Sequence, residues 1–68
     1  MDNHQEAYVA LIAGQAALNI DDTQLAKRLG VSKSTVCLIK KGKRRVGFKV
    51  RVGASRLFDD QKDIFLPQ

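Results

Sequence analysis

Asp21-Asp-Thr-Gln-Leu-Ala-Lys-Arg-Leu-Gly-Val-Ser-Lys-Ser-Thr-Val-Cys-Leu-Ile-Lys-Lys-Gly-Lys-Arg-Arg45 is the stretch that decides the fold. It contains two helix starts and two helix stops. Asp21 is placed to cap a helix while Gln24, three positions on, reaches back to it, a capping box with Asp in place of Ser or Thr. Ile20, just before the cap, is spaced to pack on Leu25 as a hydrophobic staple. These signals predict a helix over Asp22–Leu29 with Leu25, Ala26 and Leu29 on its inner face. Gly30 ends it, because a left-handed residue is least costly as glycine. Val31 re-enters the core, and Ser32 caps a second helix over residues 33 to 41 whose Val36 and Ile39 face inward. Gly42 stops that helix, and positive charge follows at once in Lys43, Arg44 and Arg45.

A chain of 68 residues reads as one domain over 1 to 68. At this size only ~60 % of the unfolded surface is buried, so the fold gains from pairing with a copy of itself. The hydrophobic share of 44 % is normal for a globular chain and argues against disorder. Cys37 is the single cysteine, so no intrachain disulfide forms and a reducing cytoplasm is the natural setting. His4, the single histidine, lies in an N-terminus expected to fray, which leaves no metal site of His and Cys ligands. The longest apolar stretch, residues 7 to 13, falls short of the ~20 residues of a membrane span, and no basic segment precedes it. A soluble cytoplasmic protein without a membrane partner is expected.

The net charge of +5 understates how the charge is arranged. Eleven of the twelve Lys and Arg residues fall between Lys27 and Arg56, a window with no Asp or Glu. Such a window is either a solvated basic face or a phosphate-binding surface, and segregation of sign in the middle third favours the second. No nucleophile, base and oxyanion donors converge, and no phosphate-cradling glycine loop is present. An enzyme, a cofactor and a small-molecule substrate are therefore not expected.

Outside the central stretch, Tyr8, Leu11, Ile12 and Leu18 recur at helical spacing and predict a first helix over residues 5 to 18. Gly14 within it allows close packing against another helix, and Asn19 suits the left-handed end. Residues 46 to 52 read two ways. Val46, Phe48, Val50 and Val52 alternate with Gly47, Lys49, Arg51 and Gly53, the period of a strand, and local propensity favours it. Read with a helical period, Phe48, Val52 and Ser55 with Ala54 and Phe58 make one face. In the tail, Ile64, Phe65 and Leu66 precede Pro67 and dock either on the same core or on a partner.

The spacing of Ala26, Gly30, Val36 and Ile39, with Gly42-Lys-Arg after it, resembles the helix-turn-helix of phage Cro/CI-type repressors, also called the Xre-type family. In that family a small residue lets the two helices cross, glycine makes the turn, and two aliphatics seal the pair. The shared core here is Leu25, Ala26, Leu29, Gly30, Val31, Val36 and Ile39, in a helix-turn-helix over about residues 22 to 41. The likeness continues through residues 47 to 59 and 63 to 67, which are similar to the fourth and fifth helices of five-helix members. It implies an all-α domain. An α+β alternative, in which Cro-type relatives follow three helices with a C-terminal β-hairpin, places a strand at 46 to 52 and a turn at Gly53-Ala54.

Such a domain lays its third helix in the major groove, with the first residues and outward face against base edges. With Val36 and Ile39 inward, the resemblance assigns base contacts to Lys33, Ser34, Thr35, Cys37, Leu38 and Lys41. Lys33 can donate to guanine, Ser34 and Thr35 can donate or accept, and Leu38, where relatives often carry a long polar residue, offers only apolar contact. Cys37 is a small apolar filler, a base contact or a redox sensor. Phosphate contacts fall to Ser32, Lys40, Lys43, Arg44 and Arg45. Relatives often place glutamine where Asp22 stands; an aspartate repels phosphate, so Asp22 is expected to serve the helix dipole. Lys49, Arg51 and Arg56 either extend the footprint or keep the surface soluble.

One short helix rarely gives specific affinity alone, so a homodimer on a palindromic double-stranded DNA operator is expected, with Leu57, Phe58, Ile64, Phe65 and Leu66 as its candidate surface. These same residues equally serve to close the monomer core. The expected function is a sequence-specific transcriptional repressor, phage or prophage Cro-like, that occludes a promoter. The alternative is an antitoxin-like, protein-binding autoregulator using the same helix pair, and general nucleic-acid coating is a third reading.

Overall fold

A computed structural model describes residues 4–66, over which the chain forms α1 (His4–Leu18), α2 (Asp22–Leu29), α3 (Lys33–Lys40), α4 (Phe48–Leu57), a 3-10 turn (Asp59–Gln61) and α5 (Lys62–Phe65). No strand occurs among the described residues, so the fold is all-α with five α-helices. Pro67 of the family-like tail lies outside the described residues.

The first three helices end in the same way. Asn19, Gly30 and Gly42 adopt left-handed φ values of 54°, 77° and 75°. After α2 the Val31 N–H reaches the Ala26 carbonyl at 3.0 Å and the Gly30 N–H reaches Lys27 at 3.3 Å, which closes a Schellman motif. Lys43 to Leu38 at 2.9 Å and Gly42 to Ile39 at 3.0 Å repeat it after α3. The starts are equally explicit. Gln24 N–H donates to Asp21 Oδ1 at 2.8 Å while Gln24 Oε1 accepts from the Asp21 N–H at 3.1 Å, so the expected capping box forms. Ser32 Oγ accepts from the Thr35 N–H at 3.3 Å and caps α3.

The strand reading of residues 46 to 52 is overturned, and with it the β-hairpin alternative. Val46, Val50 and Ala54 recur every four residues and are all buried, whereas an alternating strand would need a partner strand to satisfy its backbone. Gly53 and Ala54, the turn of that alternative, lie buried inside α4. Of the face expected for the helix, Ala54, Ser55 and Phe58 are buried and Val52 is half-buried, but Phe48 points to solvent and Val50 and Gly53 are buried in its place. The reason is tertiary. At Gly53 the backbone of α4 runs so close to the end of α2 that an added Cβ would stand 2.3 Å from the Leu29 carbonyl oxygen. Only the glycine side of α4 permits that approach.

One core runs through all five helices, with Leu11, Leu25, Val36, Ile39 and Phe65 fully enclosed. Phe65 stacks on Phe58 with ring centroids 6.0 Å apart, and the Phe58 ring lies over Gly14, where an added Cβ would meet it at 2.5 Å. Phe58 and Phe65 therefore close the monomer core and leave the candidate dimer surface; Leu57, Ile64 and Leu66 remain half-buried at its edge. Both outer helices are tied to Val46. Its N–H donates to His4 Nδ1 at 3.3 Å, so His4 is an ordered helix start and not a frayed end. Its carbonyl accepts from Arg51 Nε at 3.0 Å, and Arg51 Nη1 also holds the Phe65 carbonyl at 3.2 Å. Arg51 thus serves the fold.

Candidate nucleic-acid interface

α2 and α3 pack against each other across the Gly30 turn, with Leu25, Ala26, Leu29, Val36 and Ile39 buried between them and the core. Val31 is half-buried and packs on the same cluster, and Gly30 itself is exposed. Because Val36 and Ile39 anchor α3 inward, Lys33, Ser34 and Lys41 project into solvent, with Thr35, Cys37 and Leu38 half-buried beside them. Directly after α3, Lys43, Arg44 and Arg45 are exposed. Lys33, Ser34, Lys41 and the three following cations are thus all exposed on α3 or directly after it.

Several of the residues expected to contact DNA are already engaged with the protein itself. The Thr35 hydroxyl lies 3.0 Å from Ser32 Oγ and accepts from Arg44 Nη1 at 3.2 Å, which draws the basic loop back onto the start of α3. Lys40 is engaged as well, although it is exposed. Its Nζ donates to Asp22 Oδ1 at 2.8 Å and to Gln15 Oε1 at 3.2 Å.

The polar knot around Lys40 joins three helices. Gln15, buried on α1, uses both ends of its amide: Nε2 donates to Asp22 Oδ1 at 2.8 Å and to the Ile20 carbonyl at 3.2 Å, while Oε1 receives Lys40. Tyr8 on α1 adds a hydrogen bond from its hydroxyl to the Lys40 carbonyl at 3.2 Å. Cys37, half-buried, directs its thiol to Asp22 Oδ2 at 3.9 Å, at the edge of the knot. The hydrogen bond from Lys40, with that from Gln15 second, holds the Asp22 carboxyl below its ordinary range. Asp22 stands at the first turn of α2, as expected for the dipole, and its charge is also neutralised by an ion pair.

Sequence reasoning missed two features of this surface. The Asp22–Lys40 pair spans 18 residues, and only the crossing of α2 and α3 brings it together. Phe48, placed inward by its helical period, is 76 % exposed next to the basic loop. The signal that was available for it is Val46-Val50-Ala54, a four-residue stripe that leaves Phe48 on the opposite side. No protein-family model matches the chain, and neither a curated protein nor a solved structure matches it. No helix among the described residues is long and apolar enough to cross a membrane.

Proposed function

We propose that this chain is a sequence-specific, double-stranded-DNA-binding transcriptional repressor of the phage or prophage Cro-like kind. It acts as a homodimer on a palindromic operator and blocks the promoter by occupancy. The observation that carries this reading is the exposure of Lys33, Ser34 and Lys41 on a helix anchored by buried Val36 and Ile39, with Lys43, Arg44 and Arg45 exposed immediately after it.

In this reading α3 enters the major groove by its N-terminal end. Lys33 donates to guanine O6 or N7, and Ser34 donates or accepts at the neighbouring base. Lys43, Arg44 and Arg45 neutralise phosphates and fix the register of the helix. Pairing of Asp22 with Lys40 supports the reading, because it removes the repulsion that a bare carboxylate near the backbone of DNA would bring. Leu57, Ile64 and Leu66, half-buried at the edge of the core, are the residues left for contact with a second copy. Burial of Phe65 weighs against the antitoxin-like alternative, in which an apolar tail must be free to mask a partner.

Selection of bound sequences from a random duplex pool at physiological salt tests this. An inverted repeat with half-sites about one helical turn apart is expected. Replacing Lys33 and Ser34 together with alanine should flatten the sequence preference and keep most of the salt-dependent affinity. A flat pool bound tightly by the unaltered chain would make it a general DNA-coating protein, and absence of binding would overturn the reading.

A further inference from the structure

Among the described residues Phe48 is the most exposed of the large apolar side chains, at 76 % against 55 % for Val9 and 41 % for Leu18. It stands between two open grooves. One is lined by Val31, Thr35, Arg44, Arg45 and Lys49, the other by Leu29, Lys49, Val52 and Arg56. No acidic side chain lines either. An aromatic ring held in water between cations is a surface that fits a polyanion with apolar faces between its charges. The sugar–base edge of a nucleic acid has that pattern, with phosphates on either side of each deoxyribose.

The first groove is continuous with the reading face, because Arg44 bonds Thr35 at 3.2 Å and both line it. A duplex seated on α3 therefore passes beside Phe48. Charge also weighs against a second copy of this chain as the occupant. A symmetric contact between two copies through Phe48 would set Arg45, Lys49 and Arg56 against their own counterparts. We propose that Phe48 and its flanking grooves form a second DNA contact of this domain, with the ring packed on the deoxyribose and base edge of the duplex that α3 reads. The proposal rests on the DNA-binding reading above and extends it: Phe48 supplies affinity that salt does not screen, and Lys49 beside it supplies affinity that salt does.

The test is fluorescence anisotropy of the full chain on a fluorescein-labelled duplex recovered by the selection, across a salt series. Phe48→Ala is expected to weaken binding roughly tenfold at every salt concentration, equivalent to about 1.4 kcal/mol, with the slope of log affinity against log salt unchanged. Phe48→Leu should recover part of that loss. Lys49→Ala should instead reduce the slope by about 1.8, one phosphate contact of about 0.9 being lost from each subunit of the dimer. Thermal melts of the Phe48 variants should match the unaltered chain, since the ring is outside the core. Unaltered affinity in Phe48→Ala, while the parent chain binds, overturns this proposal alone; absence of binding by the parent overturns both readings. A melt lowered by the substitution, or a dimer converted to monomer in sedimentation, assigns the ring to the fold or to self-association and also overturns it.

Discussion

Gly53→Ala provides the sharpest check on how α2 and α4 meet. In an open helix interior the change from glycine to alanine stabilises by about 1 kcal/mol through propensity alone. Here the new Cβ would lie 2.3 Å from the Leu29 carbonyl oxygen and 2.9 Å from the Leu29 carbonyl carbon and Cα. All three are backbone atoms, so no side-chain rotation relieves the contact. A carbon–oxygen contact of about 3.3 Å requires α4 to retreat by about 1 Å. A gap of that size forfeits a quarter to a half of the dispersion energy of the other contacts across the α2–α4 seam. Overpacking of this kind costs about 1–3 kcal/mol, and because three backbone atoms are involved the upper end applies, so it outweighs the propensity gain and leaves a net loss of up to about 2 kcal/mol. A domain of this size has only about 3–10 kcal/mol to lose. The melting temperature should fall, by up to roughly 8–16 °C, read by circular dichroism at 222 nm. A variant that melts at or above the parent would refute the close approach of the two helices.

Two further outcomes follow from the core and the polar knot. Asp22→Asn should cost no more than about 1 kcal/mol at neutral pH, since a part-exposed ion pair contributes little and asparagine can still accept from Gln15. Its pH dependence is more telling. The folded Asp22 carboxyl titrates below its unfolded value, so its contribution is present above pH about 4 and disappears as pH falls through the lowered value. Urea unfolding should show the gap between parent and variant closing in acid; a gap independent of pH would remove Lys40 as the partner. Phe65→Ala empties a fully enclosed site stacked on Phe58 and should cost about 3–5 kcal/mol, enough to leave much of the chain unfolded at 37 °C. A folded monomer with only its self-association lost would return Phe65 to the dimer surface.

What was legible in the sequence is what is encoded locally. The Asp21–Gln24 capping box, the Ser32 cap and the stops at Asn19, Gly30 and Gly42 each need only a few neighbouring residues, and each forms as read. The inward pair Val36 and Ile39 follows from period alone, so the outward face of α3 was legible too. The phase at the start of α4 was not. Val46, Phe48, Val50 and Val52 make a two-residue repeat while Val46, Val50 and Ala54 make a four-residue one, and the decision comes from Leu29, a residue 24 positions from Gly53. The destinations of Lys40, Arg51 and Phe65 were hidden for the same reason. Each is set by a contact across the fold, and charge or hydrophobicity at one position cannot say which neighbour will arrive.

Val46 gathers the first helix through His4 and the last through Arg51, over separations of 42 residues on one side and 19 on the other. Neither terminal helix can therefore fray without loosening the same link. That link carries the chain from the end of α3 into α4, directly behind Arg44 and Arg45. Trimming the domain from either end would change the shape of its basic loop long before it reached the residues of the loop themselves. Amide exchange at Val46 would report on both ends of the molecule at once.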